Sequence, residues 1–269
     1  MNAPAKSNCP PLTFGSLFAG IGGFDLGFER AGLQCSWQVE INDYATKVLE
    51  KHWPLVRRWR DVRNFPPEPA SDWDVDVICG GFPCQDISYV GKGGGLIGEK
   101  SGLFYEAARV IRILRPRYVV LENVTALLRR GVDAVLWALA EIGYDAQWHC
   151  ISAAALGAAH IRDRLFILAN DNHIGLQQPR AGDGDCKEGG KLRTGCGYDG
   201  WAPLHHRPLL EDQCSATIKR SHWWDAEPGV GRVAHGVPAR MDRIKCLGNA
   251  IVPQVAEFIG RRLMQWLQQ

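Results

Sequence analysis

The 269-residue sequence has almost no charge of one sign in excess: 31 Lys and Arg stand against 29 Asp and Glu, a formal net charge of +2. A globally basic nucleic-acid binder is thereby excluded, and any such binding has to come from a local basic surface. No apolar run reaches the length of a membrane span, and the N-terminus lacks a signal-peptide pattern. Internal repeats and heptads are absent. The nine cysteines are odd in number and scattered, which argues against a disulfide framework and for reduced thiols in a cytosolic compartment. Composition is otherwise that of an ordinary globular chain, 46% hydrophobic and 22% charged. The length suits one large α/β domain, or one domain with a small insert.

The most informative stretch runs from Asp74 to Ser88. Val75 to Cys79 is short and apolar and reads as a buried strand. Gly80, Gly81 and Pro83 stop it, because glycine opens backbone angles and proline removes a donor. Cys84 follows at once. Ligands of open α/β sheets bind at the carboxyl ends of strands, so Cys84 stands where a nucleophile would be placed. Gly91-Lys92-Gly93-Gly94-Gly95 then has the composition of a mobile lid. A lone cysteine at a strand end more often packs and does nothing else, so the rest of the chain must decide.

Residues 1 to 11 read as a loose tail, and Thr13 to Phe18 as a first strand. Ala19-Gly20-Ile21-Gly22-Gly23-Phe24 follows, then a helical pattern from Asp25 to Ala31. Strand, glycine turn and helix form a nucleotide-binding unit, although G-x-G-G differs from the dinucleotide G-x-G-x-x-G. Gln34 to Glu40 is the next strand. Glu40 lies about 20 residues past the glycine turn, the offset at which a carboxylate reaches ribose hydroxyls. Asp43 to His52 is a helix capped by Asn42 or Asp43. Asp61 could close the adenine side of the same pocket, or be a surface acid among Arg57, Arg58, Arg60 and Arg63.

Ser101 to Leu114 and Val132 to Ile142 have helical periods. Tyr118 to Leu121 is a buried strand delivering Glu122-Asn123-Val124. Asp145 to Ile151 and Leu165 to Ala169 are two further strands. Between them lie Arg162 and Arg164, which two apart at a strand start point to one side. From Asp171 to about Gly231 no period holds, which marks a loop-rich insert. Its Cys186, Cys196, Cys214, His205, His206 and His222 include no C-x-x-C pair, against a zinc site. Regular structure returns near Val237, and Val255, Phe258, Ile259, Leu263 and Trp266 set out a final helix to about Leu267.

Cys84, Glu122, Arg162 and Arg164 thus fall on one rim of one sheet. A thiolate, a carboxylic acid and paired guanidiniums suit addition to an electron-poor heteroaromatic ring. In these residues the chain resembles the DNA cytosine-5 methyltransferases. The likeness rests on Phe18 to Phe24, Glu40, Gly81-Phe82-Pro83-Cys84-Gln85 with Ser88, Glu122-Asn123-Val124, Arg162-Asp163-Arg164 and Gly248-Asn249-Ala250-Ile251-Val252-Pro253, in that family's order.

The resemblance implies a Rossmann-like, mostly parallel α/β fold binding S-adenosylmethionine, with a small loop-rich target-recognition insert. The division it implies is a catalytic domain over 1–169, a recognition region over 170–235 and a segment 236–269 that returns to the catalytic domain. Phe18, Gly20, Gly22, Gly23, Glu40, Asp61, Pro83, Leu103 and Asn249 would line the cofactor pocket. Cys84 would attack C6 of a cytosine flipped from double-stranded DNA. Glu122 would contact N3 and the exocyclic amine, Arg162 and Arg164 would hold the ring carbonyl and phosphate, and the Ser88 to Lys100 loop would close over the base. The same likeness implies a monomer in the cytoplasm, associated with the nucleoid, and leaves room for a cognate restriction endonuclease.

Several positions depart from the family pattern. His160 and Ile161 stand where glutamine and a basic residue are usual, Ala250 replaces a common serine, and the arginine-rich motif is faint around Arg232 to Arg243. A zinc deaminase is rejected because Ile87 occupies the second cysteine position of P-C-x-x-C. A nicotinamide oxidoreductase would leave Cys84 and Glu122 without a role. An RNA methyltransferase of similar fold stays open as the nearer alternative, although the Cys-Phe-Thr of the tRNA-acting relative is missing. A DNA-binding regulator without activity is the alternative from another class.

Overall fold

The computed structural model describes residues 11–83, 102–172 and 238–267. Cys84, the expected lid from Ser88 to Lys100, and nearly all of the expected recognition insert lie outside the described residues.

Seven strands form one sheet in the order β3-β2-β1-β4-β5-β7-β6. They are β1 (Thr13–Leu17), β2 (Gln34–Val39), β3 (Arg57–Trp59), β4 (Val77–Gly81), β5 (Tyr118–Val124), β6 (Tyr144–Ser152) and β7 (Asp163–Asp171). Strands β3, β2, β1, β4 and β5 pair in parallel. β7 alone runs the other way, antiparallel to β5 and to β6. β4 begins, and β5 runs through its middle, as a continuous apolar stretch because both faces of the sheet are covered there.

One face carries α1 (Gly23–Ala31) and α7 (Pro253–Leu267), with Phe14, Phe24, Phe28, Val77, Val120, Phe166, Val255 and Ile259 in the shared core. The other face carries α3 (Leu103–Leu114) and α5 (Val132–Glu141) over Leu17, Trp37, Ile78, Val119 and Leu121. The helix α2 (Asp43–His52) follows β2, and its N-cap is Asn42, whose side chain accepts from the Ala45 N–H at 2.9 Å. Among the described residues the remaining α-helices are the four-residue α4 (Leu127–Arg130) and the ten-residue α6 (Arg240–Asn249).

The register sets the carboxyl ends along one rim. Leu17 is level with Val39 and with Gly80, Val39 with Trp59, and Gly81 with Glu122. Because β7 is antiparallel, its start reaches the same rim, with Arg164 opposite Val124. The sheet is mostly parallel, as expected, and β7 is its antiparallel member. The arginines reach the rim because their strand is reversed.

α1 and α7 meet so closely at Gly27 that there is no room for a side chain at that position. A Cβ at Gly27 would lie 2.5 Å from the Ala256 Cβ and 2.5 Å from the Pro253 carbonyl oxygen. In an exposed helix Gly→Ala gains about 1 kcal/mol. Here the clash reverses the sign: Gly27→Ala should lose about 1–3 kcal/mol, the cost of overpacking a filled interface. Urea denaturation measures it, and a midpoint that rises would refute the close approach.

Candidate active site

The glycine turn follows β1. Gly20 has φ +58° and Gly22 φ +86°, left-handed backbone that favours glycine. Phe18, half-buried, also has a positive φ of 53°. Glu40 fixes this turn from the end of β2. One carboxylate oxygen accepts the Gly20 N–H at 2.7 Å, and the other accepts the Asn42 N–H at 2.7 Å. A Cβ added at Gly20 would meet only the Phe18 carbonyl, at 4.0 Å, so the outside of the turn is open to a ligand. Gly22 is closed on its outer side by Trp53. Gly23 is covered by the main chain of Ile251, which comes within 2.3 Å of an added Cβ.

The other residues expected around that turn are placed as follows. Asp61 stands two residues past β3, on the same rim. Its carboxylate accepts the Arg63 N–H at 3.0 Å and pairs with the Arg63 guanidinium at 3.0 Å. The hydrogen bonds to Arg63 hold its pKa below the usual carboxylate value. Leu103 opens α3 and packs half-buried against the core that contains Phe82. Pro83 is exposed and ends the described part of the β4 turn. Asn249 is exposed at the end of α6. On that helix, burial and then the Glu40 charge raise the Cys246 thiol pKa.

Glu122 lies further along the rim, buried at 8% exposure beside Gly81. Arg164 donates from Nε to its carboxylate at 3.0 Å. Burial raises the Glu122 pKa, while Arg164 and Arg162 act against the rise. The neighbouring Asn123 was not expected to matter. Its Nδ2 donates to the Phe82 carbonyl at 2.9 Å, and its Oδ1 accepts the Val124 N–H at 2.8 Å. The turn leading to Cys84 is thus tied to the strand that carries the acid. Arg162 does not pair with Glu122 in the way Arg164 does; its Nη2 donates to the Ala250 carbonyl at 2.7 Å. Glu122, Arg162, Arg164, Phe166, Ile251 and Val252 line one small cavity.

Beneath the glycine turn lies a polar cluster with no obvious signal in the sequence. Asp25, fully buried on α1, accepts from Gln38 at 2.8 Å, Ser16 at 3.2 Å and the Cys35 thiol at 3.5 Å. An acid in the first turn of a helix usually reads as an exposed partner of the helix dipole.

A mostly parallel sheet with a glycine turn after its central strand, and an acid and arginine on the same rim, has the architecture of a Rossmann-like methyltransferase. Among solved structures, the methyltransferase EhMeth of Entamoeba histolytica superposes with a TM-score of 0.57 at 14% identity, covering 97% of this chain and 100% of that one. The model of the C-5 cytosine-specific DNA methylase family matches residues 12–193, and the chain belongs to that family. It is 32% identical over 171 residues to the type II methyltransferase M.NgoFVII of Neisseria gonorrhoeae, across 62% of this chain and 45% of that protein. It is 30% identical over 179 residues to the type II methyltransferase M.HhaI of Haemophilus parahaemolyticus, across 62% of this chain and 51% of that one. The chain therefore spans about half the length of these relatives.

The buried acid under the turn gives a pH test. Burial raises Asp25 from 3.8 to about 6, so between these values the folded state holds a proton that the unfolded state has lost. Stability from this group is complete below about pH 4 and falls as pH rises to about 6, by an order-of-magnitude total of about 3 kcal/mol. Asp25→Asn should remove that component, which is read as the wild-type minus variant difference in urea denaturation across the window. A difference that does not change with pH would refute the shift.

Proposed function

We propose that the protein methylates C5 of cytosine in double-stranded DNA, using S-adenosylmethionine as methyl donor. The observation that carries the reading is the buried Glu122 carboxylate, paired with Arg164 at 3.0 Å and level with Gly81, whose strand leads directly into Pro83 and Cys84. Chain connectivity alone keeps the Cys84 Cα within about 11 Å of Gly81. Membership of the family supports the same roles.

The open outer side of Gly20 and the fixed Glu40 carboxylate suit a nucleoside-type donor. Glu40 already occupies the Gly20 N–H, a donor that would face the pyrophosphate in a dinucleotide site, which argues against a nicotinamide cofactor. When bound, S-adenosylmethionine supplies an electrophilic methyl group. Phe18, Gly20, Gly22, Gly23, Glu40, Asp61, Pro83, Leu103 and Asn249 are proposed to hold it.

An unmodified cytosine offers no nucleophilic C5, so the protein must create one. The base leaves the duplex to reach the rim. The Cys84 thiolate adds to C6, and Glu122, in the protonated form that its burial favours, donates its proton to N3, where the ring accumulates electron density. Arg164 keeps the acid oriented. Addition makes C5 electron-rich. After C5 is alkylated, a solvent water takes the C5 proton, the C5–C6 double bond re-forms as the C6–S bond breaks to release the Cys84 thiolate, and N3 returns its proton to Glu122, so the covalent path divides one difficult step into two easier ones. The names of the type II relatives suggest a restriction partner, and the region 170–235 is proposed to read the target sequence.

Labelled methyl transfer from S-adenosylmethionine to DNA, with mapping of 5-methylcytosine, tests this function. Cys84→Ala should abolish transfer and retain donor binding, and Glu122→Gln should slow transfer by about 10²-fold or more, the usual range for a proton-handling group. DNA carrying 5-fluorocytosine should trap Cys84, because fluorine cannot leave as a proton does. Continued methylation by Cys84→Ala would overturn the mechanism.

A further inference from the structure

The three-residue segment 250–252, between α6 and α7, touches both halves of the rim. The Ile251 main chain lies on Gly23 at the start of α1, with its oxygen 2.3 Å and its nitrogen 3.0 Å from a Cβ built there. The other end of the same residue reaches the acid pocket. Ile251 Cδ1 is 3.6 Å from a Cβ built on Gly81, and Glu122 Oε2 is 2.9 Å from that same point. One residue therefore fills the space between the glycine turn and the buried carboxylate, and neither glycine could carry a side chain without displacing what it meets.

Arg162 latches this segment. Its Nη2 donates to the Ala250 carbonyl at 2.7 Å across a sequence separation of 88 residues, while its Nε is buried without a hydrogen-bond partner among the described residues. The guanidinium sits where Arg164 and Glu122 both act on it electrostatically, and it lines the same cavity as Ile251 and Val252. The expectation that both arginines grip the base divides here. Arg164 holds the acid, and Arg162 holds the segment.

We infer that Arg162 is a positioning residue: by fixing residues 250–252 across Gly23 and Gly81, it couples occupancy of the glycine turn to the Glu122 pocket. This rests on the proposed function for the identity of the two ligands. The physical basis is that a well-packed contact has discrete arrangements, so an element touching both sites transmits occupancy from one to the other, and the effect must be reciprocal. Arg162 would thus affect donor affinity without touching the donor.

Titration calorimetry with S-adenosylmethionine alone, without DNA, tests this. Arg162→Met should raise Kd by about tenfold, the scale of one lost charge-assisted hydrogen bond. Arg162→Lys, which keeps a donor for the carbonyl, should recover most of that loss. Arg164→Met should slow methyl transfer and leave donor Kd unchanged. A merely structural arginine would lower Tm in Arg162→Met and leave Kd unchanged, and that result overturns the inference. Should Arg162→Met fail to fold, Ile251→Ala, which leaves the hydrogen bonds intact, carries the test. In wild type, DNA should tighten donor binding, and in Ile251→Ala that tightening should shrink toward none; equal tightening in both overturns the coupling. Wild type that binds donor but forms no 5-methylcytosine would refute the proposed function while the Kd comparison still judges Arg162. Wild type that binds no donor refutes both.

Discussion

A carboxylate buried at 8% exposure has to be paired or neutralised, and the pairing of Glu122 with Arg164 satisfies that demand. The reversed direction of β7 is what makes the pair geometrically available. A nine-residue strand spans roughly 25 Å. Were β7 parallel to β5, its first residues would lie at the opposite edge of the sheet, and Glu122 would be a buried charge without a counterion. The acid, the arginine and the turn after β4 are therefore one consequence of strand order and direction. Their convergence does not depend on any local motif.

The glycine turn is settled by a similar economy. A left-handed turn leaves backbone N–H groups pointing outward, and Glu40 accepts one of them from the end of the adjacent strand. The carboxylate that would meet ribose hydroxyls in the proposed site is thus already held in place by the turn it accompanies. Asn123 performs the equivalent service further along the rim, tying Phe82 to β5. Glu40 and Asn123 each fix a turn from a neighbouring strand, which is how geometry is held on rigid elements.

The parts that were legible in the sequence are those with strong periodicity or a cap. The apolar runs of β1, β4 and β5, the amphipathic α3, and the Asn42 cap all carry a local signal that burial reinforces. β3 was missed because it has three residues, two of them arginine, and exists only by pairing with the end of β2. α6 was missed because its apolar Met241, Ile244 and Leu247 are exposed among charged residues, which weakens any core-facing stripe. Of the candidate site, Glu122, Arg162 and Arg164 carry a side-chain signal and line one cavity, while Cys84 lies outside the described residues. The groups that act through the backbone carry none, since the carbonyl of Ala250 and the main chain of Ile251 are chemically the same as any other peptide group. Asp25 escaped for another reason: its burial follows from the packing of α1 on β1 and β2, which only the assembled sheet determines.

The order of the chain bears on how this site is assembled. The glycine turn lies at residues 18 to 23, yet the surface that covers Gly23 comes from Ile251, more than two hundred positions later. α1 likewise offers Gly27 to Ala256 and Pro253, and a Cβ built on Gly260 of α7 would lie 2.7 Å from the Ala31 Cβ. Contacts of such separation close long loops, and the packing they form has to outweigh the entropy of closing them. Until α7 docks, α1 has its apolar face open and the turn lacks one wall. The segment that walls the start of α1 is therefore also the one that reaches the acid pocket.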